Sequence, residues 1–263
     1  MAINYMLKRA IPYPTYHLFN YLREVIIIIG GYSVYMFVRN FVGADLDNLA
    51  LDNAAKVIKF ELSIGFFWEP LLQDWAFNSA KSLLVFFTWG YIFLFFPVIL
   101  TTAAILYTKD RPKYRYYRNV VLLSFVFALI IFAAFPLAPP RFLPEYGFID
   151  TLAQFGPAWY TSRDAADYYN AFAAMPSLHF GWTVLFGFLF YRTGKPPLRI
   201  WGVLYPTLTF FIIIMTGNHY VIDSVAGGIV VLSSFLLYEA ILRYQATLHP
   251  LLARRFHRQS ANS

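Results

Sequence analysis

Two segments of the sequence carry the residue types that do chemistry. Met175-Pro176-Ser177-Leu178-His179 and Thr216-Gly217-Asn218-His219-Tyr220-Val221-Ile222-Asp223 each place a histidine where an apolar run begins or resumes. The second adds a carboxylate four residues on, just over one helical turn, so His219 and Asp223 can share a helix face. A carboxylate on one imidazole nitrogen fixes the tautomer and leaves the other nitrogen basic or nucleophilic. Two histidines across a polar gap suit in-line phosphoryl transfer: one attacks phosphorus and the other protonates the leaving oxygen. Charge developing on the phosphoryl oxygens requires donors. Ser177, with backbone N–H groups at the start of a helix, offers an anion cradle. Arg141, following Pro139-Pro140, is the best-placed guanidinium clamp. Asn218 and Tyr220 stand where head-group oxygens would be held.

The elements that must position these residues are membrane spans. Six apolar stretches, approximately 20–39, 82–107, 118–137, 174–192, 198–216 and 219–242, have the length a bilayer crossing needs, about 20 residues. Across 263 residues the chain is 59% hydrophobic and only 13% charged, roughly half the charge of a soluble domain. The expected fold is all-α: a polytopic membrane protein, a six-transmembrane-helix bundle with interfacial amphipathic helices, in one membrane domain over 1–263. Its catalytic core is expected over about 80–243. The 40–81 segment alternates charged with apolar side chains and reads as helices in the interface, most simply a surface anchor. Residues 244–263 form a basic tail. No cysteine is present, so disulfides and thiolate metal sites are excluded. Residues 1–9 lack the pattern of a cleavable signal peptide.

The net charge of +7 could point to nucleic acid, but its distribution follows the positive-inside rule. With a cytoplasmic N-terminus, 15 of the 21 basic residues fall on the cytoplasmic side. Both termini are then cytoplasmic and no nucleic-acid partner is expected. His179 and His219 open the fourth and sixth spans on the opposite face, the same face as the 136–173 connector. Residues far apart in sequence are thereby brought to one depth.

Pro176-Ser177-Leu178-His179 resembles the second signature, P-S-G-H, of the type 2 phosphatidic acid phosphatase superfamily, and His219-x-x-x-Asp223 resembles the end of its third. Phe135-Pro136-Leu137-Ala138-Pro139-Pro140-Arg141, with Ala174 to His179 and Asn218-His219-Tyr220, is similar to the inositol phosphorylceramide synthase branch and its bacterial relatives. The resemblance covers roughly 80–243, and Glu61, Glu69, Gln73 and Asn78 extend it more weakly toward the N-terminus. The first signature, K-x6-R-P, is missing: Arg111-Pro112 matches its end, with Ala104 at the lysine position. Ile212-Ile213 replaces the Ser-Arg before the third signature, and Leu178 replaces a frequent Gly. Phe95 stands where bacterial relatives carry a His before Phe-Pro.

The resemblance implies catalytic roles for His179, His219 and Asp223 in a double displacement through a phosphohistidine, without metal or cofactor. It implies a membrane lipid substrate with a phosphorylated head group, a plasma-membrane location and a non-cytoplasmic active site. The acceptor decides between a phosphotransferase of the inositol phosphorylceramide synthase type and a lipid phosphate phosphatase using water. Two other readings compete. One is a non-enzymatic lipid-binding or transport protein. The other is a metal-dependent hydrolase, which lacks an H-E-x-x-H-like ligand pair. Nothing in the sequence names a protein partner.

Overall fold

The computed structural model describes residues 21–27, 29–31, 33–34, 37, 46–161 and 172–260. Parts of the 20–39 stretch and of the 136–173 connector, including Arg163, Tyr168 and Tyr169, lie outside the described residues. The chain divides into two compact units, residues 1–44 and 45–263. In the first, the described residues between 21 and 37 are helical.

The second unit begins with α1 (Leu46–Ser63) and α2 (Glu69–Ser79). Their buried positions recur at three- and four-residue spacing: Ala50, Ala54, Val57, Ile58 and Glu61 on α1, then Glu69, Gln73 and Ala76 on α2. That period defines one inward stripe per helix. The stripe is unusual because it includes two glutamates and a glutamine. Both helices therefore pack into the fold, which is more than the surface anchor expected for this stretch.

Next come α3 (Lys81–Phe93) and α4 (Phe95–Lys109), bent by 41° at Leu94. Pro97 explains the break: it has no N–H to donate to the Phe93 carbonyl. α5 (Arg111–Ala134) starts earlier than its hydropathy alone indicates, absorbing the basic connector into its first turns. Asp110 caps it by accepting from the Lys113 N–H at 3.1 Å, and Pro112 occupies the first turn, where a missing N–H is harmless. The Lys113 backbone N–H and ammonium hold the Asp110 carboxyl below its usual range.

Short turns over Pro140–Phe142 and Pro144–Tyr146, then α6 (Thr151–Phe155), carry the connector to α7 (Leu178–Thr193), α8 (Pro196–Met215) and α9 (Val221–Ser260). A β-bridge pairs Leu137 with Ala173. Among the described residues, α5, α8 and the 221–247 part of α9 are long and apolar enough to cross a bilayer, and the bent α3–α4 pair makes a fourth if it counts as one span. α7 has 16 residues, about 24 Å at 1.5 Å per residue, short of the length a full crossing needs. The helices expose Phe86, Leu100, Ile130, Ile200, Val203, Leu232 and Leu236, the surface of a protein whose solvent is lipid. This is an integral membrane protein with an all-helical core.

One apolar core joins α4, α5, α7, α8 and α9 through Phe95, Val120, Leu185, Phe186, Tyr205 and Val231. Polar side chains between α5 and α9 are paired, Tyr116 donating to Glu239 at 2.5 Å and Asn119 to Tyr238 at 2.7 Å. Such pairing is what a low-dielectric surrounding requires.

The N-terminal ends of α7 and α9 meet at bare backbone. A Cβ on Gly181 would stand 2.6 Å from the Gly227 carbonyl oxygen, and one on Gly227 would collide with the Ser177 carbonyl. Small residues let helices approach this closely in membranes. Gly227→Ala is expected to lower thermal stability by about 1–3 kcal/mol, the usual scale of overpacking. It should depress activity further by separating His179 from His219. Detergent-phase melting curves and turnover measured on one preparation check both effects.

Candidate active site

The loop between α8 and α9 is fastened at nearly every residue. Gly217 turns the chain at φ +67°, a conformation that disfavours side chains. Asn218 and His219 both donate backbone N–H to Ile213 O, at 3.0 and 3.2 Å. The Thr216 carbonyl accepts from Thr151 Oγ1 at 2.9 Å, and the Met215 carbonyl from Gln73 Nε2 at 3.1 Å. Gln73 also accepts from Ile149 N–H at 2.8 Å, tying α2, the connector and this loop together.

His219, which is 5% exposed, places Nδ1 2.8 Å from the Ala174 carbonyl oxygen and 3.4 Å from Asp223 Oδ2. A carbonyl only accepts, so Nδ1 holds the proton and Nε2 keeps its lone pair. Asp223 is fully buried, and its Oδ2 also accepts from Tyr220 N–H at 3.0 Å. The carboxylate thus reaches back to cap its own helix, a capping-box geometry, while it touches the imidazole.

His179, on the first turn of α7, lies with its ring centroid 5.9 Å from that of His219. Tyr91 stacks on it at 4.8 Å and Phe95 lies against it at 4.3 Å. The ring is held between these two aromatic side chains. Phe95 is thus a wall of the His179 pocket.

The remaining sequence-predicted residues divide into two groups. Arg141 donates its backbone N–H to Gly217 O at 2.8 Å and, from Nη1, to Asn218 Oδ1; its guanidinium also lies 4.7 Å from the Phe142 ring. Asn218 donates to Thr216 Oγ1 at 2.7 Å, so Arg141 and His219 belong to one hydrogen-bonded loop. Ser177 and Tyr220 sit inside the fold. Ser177 caps α7 by accepting from Phe180 N–H at 3.3 Å, and its own N–H goes to the Asp223 carbonyl at 3.0 Å. Tyr220 is fully buried, donates to Ala138 O at 3.2 Å and packs against Phe148.

Two residues at the rim of this site were named by sequence only as weak family-like features. Glu69 Oε1 accepts from Val221 N–H at 3.0 Å and Glu61 Oε1 from Ile222 N–H at 2.9 Å. These are the first two orphan donors of α9, and carboxylates at a helix N-terminus suit its dipole. The second oxygen of each, Oε2, is buried without a partner in the fold. Burial, then the neighbouring Glu69 charge, pushes the Glu61 carboxyl up to about 9. The available signal was two glutamates within an apolar-rich segment, which also fits a solvated face. No group of three or more His, Asp or Glu side chains is arranged to hold a metal ion among the described residues.

The arrangement defines a helical integral-membrane protein with two imidazoles and a buried carboxylate gathered where helix ends meet. The family model of the PAP2 superfamily matches residues 55–237, and the chain belongs to that superfamily. It is therefore an enzyme of the lipid phosphatase or phosphotransferase kind. The match begins at residue 55, inside α1, so the helices that carry Glu61, Glu69 and Gln73 are part of the family fold. No curated protein and no solved structure matches the chain.

Proposed function

We infer that the protein is a metal-independent phosphoryl-transfer enzyme of membrane lipid phosphoesters, working through His179, His219 and Asp223. The observation that carries this reading is the Ala174 carbonyl on His219 Nδ1, which leaves Nε2 as a nucleophile. His219 Nε2 attacks phosphorus, the bond from phosphorus to the departing alkoxide oxygen breaks, and His179 supplies that oxygen with its proton. His219 carries the phosphoryl group as a phosphohistidine, and Asp223 stabilises the resulting positive ring. The acceptor hydroxyl then loses its proton to His179 as its oxygen displaces the histidine nitrogen. His219 meets the phosphorus and His179 the departing oxygen, and ring centroids 5.9 Å apart put both imidazoles beside one phosphoryl group.

Arg141 supplies the guanidinium for the phosphoryl oxygens, joined by the first-turn N–H groups of α7. Asn218 orients that guanidinium through its side-chain oxygen. Ser177 and Tyr220 act here by bracing, one as helix cap and one as core. Arg141→Ala is expected to cost about a hundredfold or more in kcat, the scale of losing one transition-state donor. It should also weaken vanadate inhibition. Unchanged inhibition would remove Arg141 from the site.

The preferred acceptor is a lipid hydroxyl, in the manner of the inositol phosphorylceramide synthase branch, on the motif resemblance around Arg141, Ser177 and Asn218. Water as acceptor is the second reading. Six crossings rest on the six apolar stretches, and cytoplasmic termini with a site facing away from the cytoplasm of the cell membrane rest on the basic-residue bias. The decisive experiment incubates the purified protein with a phospholipid panel in chelator, with and without ceramide or diacylglycerol. New phospholipid indicates a transferase, and free head-group phosphate or phosphatidate breakdown a phosphatase. No product in either arm would reject the enzyme mechanism drawn here.

A further inference from the structure

We propose that Glu61 and Glu69 are a positioning pair that shares one proton, holding the His219–Asp223 end of α9 in its working orientation. The proposal rests on the assignment of His219 as nucleophile and goes beyond it, because neither glutamate has a part in the transfer itself.

The geometry begins with the backbone. α9 opens two residues after His219, and its first two N–H groups go to carboxylates from α1 and α2 rather than to water. Both glutamates are at least 99% buried, and both keep an Oε2 atom without a partner. Two buried carboxylates cannot both stay ionised against each other at modest cost. One proton placed between the two Oε2 atoms satisfies both orphans at once and leaves a single negative charge on the helix dipole. Burial and the Glu69 charge raise Glu61, and the Ile222 N–H opposes the rise.

The charged groups acting on Glu61 are Glu69 on α2 and Asp223 on α9, both carboxyls. Loss of the shared proton would therefore put three like charges around the turn that bears His219. The carboxylate of Asp223 would gain a repulsive neighbour, and its contact with the imidazole would loosen. The pair thus couples the protonation of two interior glutamates to the angle at which the nucleophile is presented.

The sign of the pH effect follows from linkage. An unfolded Glu61 ionises near its ordinary value of 4.5, whereas the folded chain keeps the proton up to about 9. Between those values the folded state binds more protons, so stability falls as pH rises through the window. Glu61→Gln replaces the protonated acid with a neutral amide of the same shape that cannot titrate. The test is run on the full-length chain in detergent with two readouts. Melting temperature is followed from pH 5 to pH 9 for wild type, Glu61→Gln and Glu69→Gln. The variant Glu61→Gln is expected to gain on wild type steadily as pH rises, and parallel curves would overturn the shared proton. Glu69→Gln removes the like charge that helps hold the Glu61 proton, so the decline seen in wild type should end at lower pH; an unmoved decline counts against the pair.

The second readout is kcat against pH. Wild type should lose turnover at the alkaline end with a midpoint near 9, and Glu61→Gln should lack that limb. The same limb in both proteins would overturn the positioning role. Glu61→Ala, without oxygen to cap Ile222, should lower kcat at least tenfold with KM little changed. If Glu61→Gln fails to accumulate, Glu69→Gln answers the same question. A wild type inactive on every phospholipid would count against the assignment of His219 instead, and the melting comparison would still decide the proton.

Discussion

His219→Gln is expected to abolish turnover, by about a millionfold, the scale seen when the nucleophile of a covalent mechanism is removed. Glutamine fills a similar volume and can still donate to the Ala174 carbonyl, so the loop should keep its shape. What it lacks is a lone pair able to attack phosphorus. Incubation with a phosphorus-labelled lipid and rapid acid-free quenching should trap label on the wild-type chain and none on this variant. The label should be acid-labile and alkali-stable, as a phosphoramidate is. Label retained by His219→Gln, or wild-type rates from it, would remove His219 from the role.

His179→Gln is expected to cost about 10²- to 10⁴-fold, the usual contribution of a general acid–base group. The size should depend on the leaving group, and that dependence separates catalysis from packing. A lipid alkoxide must be protonated as it departs, whereas an aryl oxide leaves with little help. The first step of an aryl phosphate should therefore be almost as fast in the variant as in wild type. Phosphoenzyme should then accumulate, because the acceptor still needs a base. An equal loss for both kinds of substrate would mean that His179 merely fills the space between Tyr91 and Phe95.

Much of this site was readable in the sequence because its members follow one-turn spacing or sit at the mouths of apolar runs. The His219–Asp223 pair needed only the helical period. Bringing His179 near His219 needed the alternation of spans as well, and the structure places those rings side by side. Arg141 was singled out by its place after two prolines in the connector, and its guanidinium is bonded to Asn218. The apolar stretch at 198–216 became α8 within a few residues, and the one at 219–242 became the opening part of α9, which runs on to Ser260.

What stayed hidden depended on contacts between distant segments. Glu61 and Glu69 look like ordinary interfacial charges, since nothing local announces that Val221 and Ile222, some 150 residues later, will present bare N–H groups to them. Ser177 and Tyr220 carry polar atoms beside the histidines, and sequence cannot tell that helix capping and the Ala138 carbonyl use them. The bend at Leu94 was likewise invisible to hydropathy, which averages over Pro97. The short α7 shows the same limit, because apolar residues before Leu178 lie in extended chain where Ser177 starts the helix.

The peptide oxygen of Ala174 that steers His219 is supplied by every amino acid. An alanine scan would pass over it without a signal, and so would any survey that ranks positions by side-chain identity. Its sensitivity lies in chain length: inserting or deleting one residue between Ala173 and Ser177 would slide a different carbonyl under the imidazole. Enzyme engineers who graft new recognition loops into this connector would therefore do best to keep the Leu137–Ala173 pairing, Arg141 and Thr151 in place and to leave the run from Ala173 to Ser177 at its present length.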